Sequence, residues 1–209
     1  MLLSINGYTQ EGIVFEFGQN TSNYSHKTEV PPLDFYSQTG QELRVSYIRS
    51  LLSDHEISFG LSFFEANSKG KVITTNLDYQ TKFLGAFVKT HFNFLTLFNR
   101  RFCTSCTKIN FFATVGAQTS ILSQGTQKIN EQVIDLSGKE DFKGLWVAPM
   151  LGIKSRFDAS DLISLFISYE FMPMFNVTDN EEDFKIRQNP LTLGTVSYTH
   201  LRAHETVMN

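Results

Sequence analysis

The feature that most constrains this chain is a period-two alternation of apolar and polar residues, sustained over segments much longer than an ordinary strand. Successive strand side chains point to opposite faces, so alternation of this kind gives each strand one apolar and one polar face. The clearest case is Glu56 to Asn67 (EISFGLSFFEAN), with Ile57, Phe59, Leu61 and Phe63 on one face and Ser58, Gly60 and Ser62 on the other. Gly12 to Gly18 sets Ile13, Phe15 and Phe17 against Val14 and Glu16, and Gln41 to Leu51 sets Leu43, Val45 and Tyr47 against Glu42, Arg44 and Ser46. Lys108 to Leu122 and Asp161 to Phe175 continue the pattern, while Asn76 to Phe98 and Leu145 to Phe157 are extended but alternate less cleanly. No convincing run at helical spacing exceeds about two turns. The chain is therefore expected to be all-β.

Alternation alone fits a soluble sandwich or lipocalin-like barrel as well as a membrane barrel. Three features favour the membrane. The segments exceed the ~5–6 residues usual in globular proteins and reach the ~9–11 that a tilted spanning strand needs. The polar faces are small and uncharged mid-strand (Ser58, Gly60, Ser62; Ser164, Ser168), which suits a narrow lumen. Aromatic residues fall near strand ends at Phe17, Tyr47, Phe63, Phe64, Phe92, Phe94, Trp146, Phe157, Phe171 and Phe175, as interfacial girdles require. The intervening segments Gln19 to Gly40, Asn67 to Lys71, Asn99 to Thr107, Ser123 to Gly144, Asp158 to Asp161 and Asn176 to Asn189 read as connections in which long loops alternate with short turns. The expected architecture is an antiparallel up-and-down transmembrane β-barrel of about eight strands.

The order of these elements resembles the outer-membrane β-barrel domain family of Bacteroidetes, the PorT-like and OmpX/OmpW-like small barrels. The resemblance rests on an N-x-S loop (Asn20 to Ser22), the hairpin Gln41 to Asn67 with ISFGLSFFE, an L-D-Y segment (Leu77, Asp78, Tyr79), FFATVGAQTSILS (Phe111 to Ser123) and LFISYEFMPMFNVT (Leu165 to Thr178). It spans most of residues 11–194. The chain departs from the family at Gln80 to Gly85 (QTKFLG), where such proteins tend to carry an acidic residue and an I-P-L-like stretch. The resemblance implies a bacterial outer-membrane location. The implied partners are the lipid bilayer, the barrel-assembly machinery and other envelope proteins met through the loops.

The two ends read differently from residues 11–194. Met1 to Gln10 is read as the remnant of a signal peptide, with a cytoplasmic surface leader as the alternative. Val196 to Thr206 (VSYTHLRAHET) resembles one reading frame of a transposase-type sequencing adapter, so residues 195–209 are expected to be a non-native tail. His200 and His204, at metal-binding i, i+4 spacing, are set aside on that ground. Asn189 to Gly194 would then be a closing strand cut short, leaving an open barrel unable to assemble.

No catalytic, cofactor or metal residue is expected. The net charge of −3 gives no basic footprint for nucleic acid. The histidines His26, His55 and His91 sit in no recognised motif, and no nucleophile elbow, H-E-x-x-H or phosphate loop occurs. Cys103 and Cys106 are the only cysteines; a disulfide in an oxidising compartment is the favoured reading over zinc or redox chemistry. The acidic run Asn180 to Asp183 reads as a solvated loop. Glu16, Arg44, Lys89, Lys154, Arg156 and Glu170 are expected to point into the lumen and to pair there.

Overall fold

A computed structural model describes residues 10–26, 34–52, 55–72, 75–94, 108–130, 132–139, 142–178 and 184–199. Met1 to Thr9, Cys103, Cys106, His200, His204 and the acidic run 180–183 lie outside the described residues, and with them the signal-peptide, disulfide and metal-spacing expectations.

Nine antiparallel strands form one sheet: β1 (Glu11–His26), β2 (Asp34–Leu52), β3 (His55–Val72), β4 (Thr75–Asn93), β5 (Ile109–Ile129), β6 (Gln132–Asp135), β7 (Leu145–Asp158), β8 (Ile163–Asn176) and β9 (Phe184–Thr199). Eight of them close into a barrel. β4 pairs with β5, and β1 pairs with β9, so the sheet returns on itself. β6 is a short partner to the far end of β5, joined to it at Asn130, whose φ of 54° is one that asparagine tolerates. Closure removes the free edges that hydrocarbon cannot satisfy.

The faces follow the alternation. Phe17, Leu61, Ile153 and Leu193 point outward and are 59–67% exposed, whereas Glu16, Arg44, Lys89 and Glu170 point inward and are at most 6% exposed. Apolar side chains outside and charges inside invert a soluble barrel and match a membrane one. The observed strands run to 21 residues; residues 67–71, expected to turn, continue β3, which extends to Val72. β4 alternates as cleanly as the others.

In this polypeptide β9 runs past Gly194 through Thr199 and pairs with β1 along its whole length, from Glu11↔Thr199 to His26↔Phe184; two other expectations need correction. Thr195 to Thr199 keep the inward phase of Thr192 and Gly194, so Val196 and Tyr198 enter the lumen, 0% and 7% exposed. Phe64 and Trp146 are not girdle residues. Phe63 and Phe64 are adjacent and must face opposite ways; Trp146 shares its phase with Ala148 and Met150, and both Phe64 and Trp146 are fully buried inside. Nor do long and short connections separate by end. The long connection between β4 and β5 lies at the same end as the short ones between β2 and β3 and between β7 and β8.

The wall has irregular intervals between β2 and β3, β4 and β5, β7 and β8, and β8 and β9; the one between β7 and β8 involves two prolines. The β7–β8 ladder stops between Val147↔Phe175 and Leu151↔Phe171, where Pro149 faces Pro173. The bond from the Val177 amide to the Leu145 carbonyl (2.9 Å) marks the odd-numbered β7 positions as those that exchange hydrogen bonds. Two prolines at such a position remove both donors at once.

The closure can be tested directly. A chain ending at Gly194 loses the pairing of Thr195 to Thr199 with β1 and β8, and is expected to lose the heat-modifiable folded band that the chain through Thr199 gives on cold electrophoresis. Equal folding of both would place closure elsewhere.

Candidate functional site: the ionic lumen

Three strands aim acidic side chains at one guanidinium. Arg44 (β2) meets Glu42 of its own strand (Nη2 to Oε1, 2.5 Å), Glu170 of β8 (Nη1 to Oε2, 2.6 Å) and Glu16 of β1 (3.4 Å). Lys89 (β4) reaches the other oxygen of Glu170 at 2.8 Å and lies 3.6 Å from Glu16. Both cations also lie over the Phe87 ring, Lys89 at 4.7 Å and Arg44 at 5.7 Å from its centroid, where the negative ring face offsets part of their desolvation.

A second network lies towards the end that carries the chain termini. Glu56 accepts from Lys154 (3.4 Å) and from Arg156, which also pairs with Asp158 at 2.9 Å and donates to the Tyr198 hydroxyl at 3.0 Å. Lys154 sits over Phe112 and Phe166, 4.9 and 5.4 Å from the ring centroids. Between the networks, His91 meets the hydroxyls of Ser58 (3.1 Å) and Thr114 (2.9 Å).

The space left over is small. A central cavity bordered by Glu16, Lys89, His91, Lys154 and Glu170 offers about 10 Å³ to the centres of water molecules, room for roughly one water. Two glycines show how tightly the walls close. A Cβ on Gly194 would lie 2.2 Å from Phe166, and one on Gly152 would lie 2.7 Å from Cγ of Glu170. Glycine at these places leaves room for the large inward side chain of the residue paired with it on the neighbouring strand, Phe166 beside Gly194 and Glu170 beside Gly152.

Towards the other end the interior turns apolar. Phe64 stacks on Phe83 (5.3 Å, 11°), Phe83 meets Trp146 edge-on (5.9 Å, 75°), and Met150, Met172, Met174 and Ile186 fill around them. Leu136 and Phe142, from the connection between β6 and β7, close the mouth. Phe142 packs against Tyr24, Tyr79 and Trp146, and the indole Nε1 donates to its carbonyl (3.3 Å).

All six charged residues expected in the lumen border it. Glu16, Arg44, Lys89 and Glu170 form the first network; Lys154 and Arg156 belong to the second. Glu56 and Asp158, which complete the second network, were not singled out from sequence. Glu56 keeps the phase of Ser58, so the alternation alone could have found it. His55 lies edge-on to Phe92. Among the described residues no set of three His, Cys, Asp or Glu is arranged to hold a metal ion; the three carboxylates that converge do so on Arg44.

With the geometry in place, comparison with known proteins gives the fold. No known family model matches the chain, and no curated protein matches it. Solved structures do. The outer membrane protein OprG of Pseudomonas aeruginosa aligns over 94% of this chain and 100% of its own, at 8% identity and TM-score 0.53. Neisserial surface protein A aligns over 88% and 96% at 13% identity (TM-score 0.49), and the attachment invasion locus protein Ail of Yersinia pestis over 91% and 98% at 13% identity (TM-score 0.42). The chain has the fold of small outer-membrane β-barrels.

Glu170 joins both cations of the first network. Glu170→Ala leaves the buried Arg44 and Lys89 short of a counter-charge and is expected to cost about 3–5 kcal/mol. Glu42→Gln keeps an oxygen facing Arg44 and is expected to cost under about half of that. Urea unfolding of the two variants in lipid vesicles measures the difference; equal losses would remove Glu170 from the centre of the network.

Proposed function

We propose that this protein sits in the bacterial outer membrane as a closed, non-catalytic barrel that acts through its loops and outer wall, not as an open pore. The observation that supports this reading is the filled lumen, with charges paired across it at one level and aromatic and methionine side chains packed above them. Ions passing along it would have to break pairs shared by β1, β2, β4 and β8. Nothing in the network leaves a nucleophile and a base exposed to a substrate. The finer placement, a structural, adhesive or secretion-accessory role within a Bacteroidetes-type family with barrel-assembly machinery as a partner, follows from the family resemblance.

Planar-bilayer recordings test the proposal. The protein through Thr199 is expected to give no steady unit conductance, and Arg44→Ala with Glu170→Ala, which empties the middle of the lumen, is expected to create one. Stable channels in the unaltered protein would sink the closed-barrel reading.

A second reading, a conduit for apolar ligands, draws on one observation. The Pro149–Pro173 break in the wall lies at the level of inward-facing Ala148, Met150, Met172 and Met174, so a stretch of wall lacking two donors backs onto a flexible, methionine-rich part of the interior. A disulfide across the break, from Val147→Cys and Phe175→Cys, would abolish uptake of an apolar solute by proteoliposomes if this reading holds, and leave it unchanged if it does not.

A further inference from the structure

The outer face carries a feature that the closed lumen does not explain. On β8 the outward row is apolar from end to end: Ile163, Leu165, Ile167, Tyr169, Phe171, Pro173 and Phe175. On β9 the apolar row stops at Leu191, and Lys185 and Arg187 continue it. Register places these cations beside the top of the β8 row, Arg187 opposite Pro173 and Lys185 opposite Phe175. Their other neighbours, on β1, are uncharged: Asn23 faces Arg187 and Ser25 faces Lys185.

Both cations are exposed, and among the described residues neither makes an ion pair. Each is held over a ring of the neighbouring strand, Lys185 at 5.7 Å from the Phe175 centroid and Arg187 at 5.9 Å from that of Phe171. Two cations fixed over aromatic rings, at the depth where the adjacent strand is still apolar, occupy the boundary between acyl chains and headgroups. Such rings anchor at that boundary. Guanidinium and ammonium groups there match phosphate, the guanidinium as a two-pronged donor.

We propose that Lys185, Arg187, Phe171 and Phe175 form a binding site for one phosphate-bearing lipid of the leaflet at the end of the barrel where β9 begins, its phosphate on the two cations and an acyl chain against the outward row of β8. Phe171 and Phe175 position the cations, and Pro173 between them offers the chain a flat, donor-free surface. The site rests on insertion of the barrel in a membrane but not on whether its lumen conducts.

Native mass spectrometry of the protein through Thr199, released from nanodiscs, tests the site. Phosphatidylcholine discs are compared with discs doped with phosphatidylglycerol or lipid A. One retained anionic lipid per barrel is expected, and Lys185→Gln with Arg187→Gln should lower its preference over phosphatidylcholine by roughly 10- to 30-fold with the heat-modifiable band intact. Lys69→Gln with Lys71→Gln, on the outer face of β3, should change nothing. Inorganic phosphate should not displace the lipid, because it lacks the chain. Undiminished retention in the β9 double variant would overturn the proposal, as would equal loss in the β3 variant or displacement by free phosphate. Neutralising Asp179, Glu181, Glu182 and Asp183, which precede Lys185 in sequence, should leave binding equal or stronger. Loss of binding there would overturn it too, by placing the lipid on the acidic run.

Discussion

Hydrocarbon offers no partner to a backbone amide or carbonyl, and the rest of this structure follows from that. A sheet can meet the condition only by closing, and closure fixes which side chains face lipid and which face the interior. Once Ile57, Phe59, Leu61 and Phe63 are turned outward, Ser58, Gly60 and Ser62 have nowhere to go but in. Charges on that inward face are then buried by default, and Arg44, Lys89, Glu16 and Glu170 are tolerable there because each finds an opposite charge. The rule is relaxed in the wall between Pro149 and Pro173, where two donors are missing at once. There the adjoining interior is apolar and polarisable rather than ionic.

The interior is thus divided along the barrel axis. One half is held by charge and hydroxyl contacts, the other by stacked rings and methionines. Each half excludes water by a different means, the first by pairing and the second by packing density. Phe87, beneath both Arg44 and Lys89, belongs to both halves and joins them.

Most of the fold was legible in the sequence because a period of two carries the face of every residue with it. The lumen charges were found this way, and Glu56 was within reach of the same argument. What alternation could not supply was register. That Glu170 meets Arg44 across 126 residues depends on strand pairing, which no local pattern encodes. Phe64 and Trp146 were assigned to the girdle because aromatic composition near strand ends was allowed to outweigh phase. The same alternation continues through residues 195–199 and places Val196 and Tyr198 inward.

The distribution of the ion network over the chain has a bearing on assembly. Glu16 and Arg44 lie on the first hairpin, Lys89 on β4 and Glu170 on the penultimate strand, so the set is complete only when the last strands have met the first. A strand that slid by two residues would keep its greasy and polar faces correct and satisfy the lipid, yet would strand at least one charge without its opposite. Hydrophobic patterning is blind to such even-numbered slips. The lumen charges are not, and they serve as a proofreading mark by which a nascent barrel distinguishes its native closure from near-copies that the membrane alone would accept.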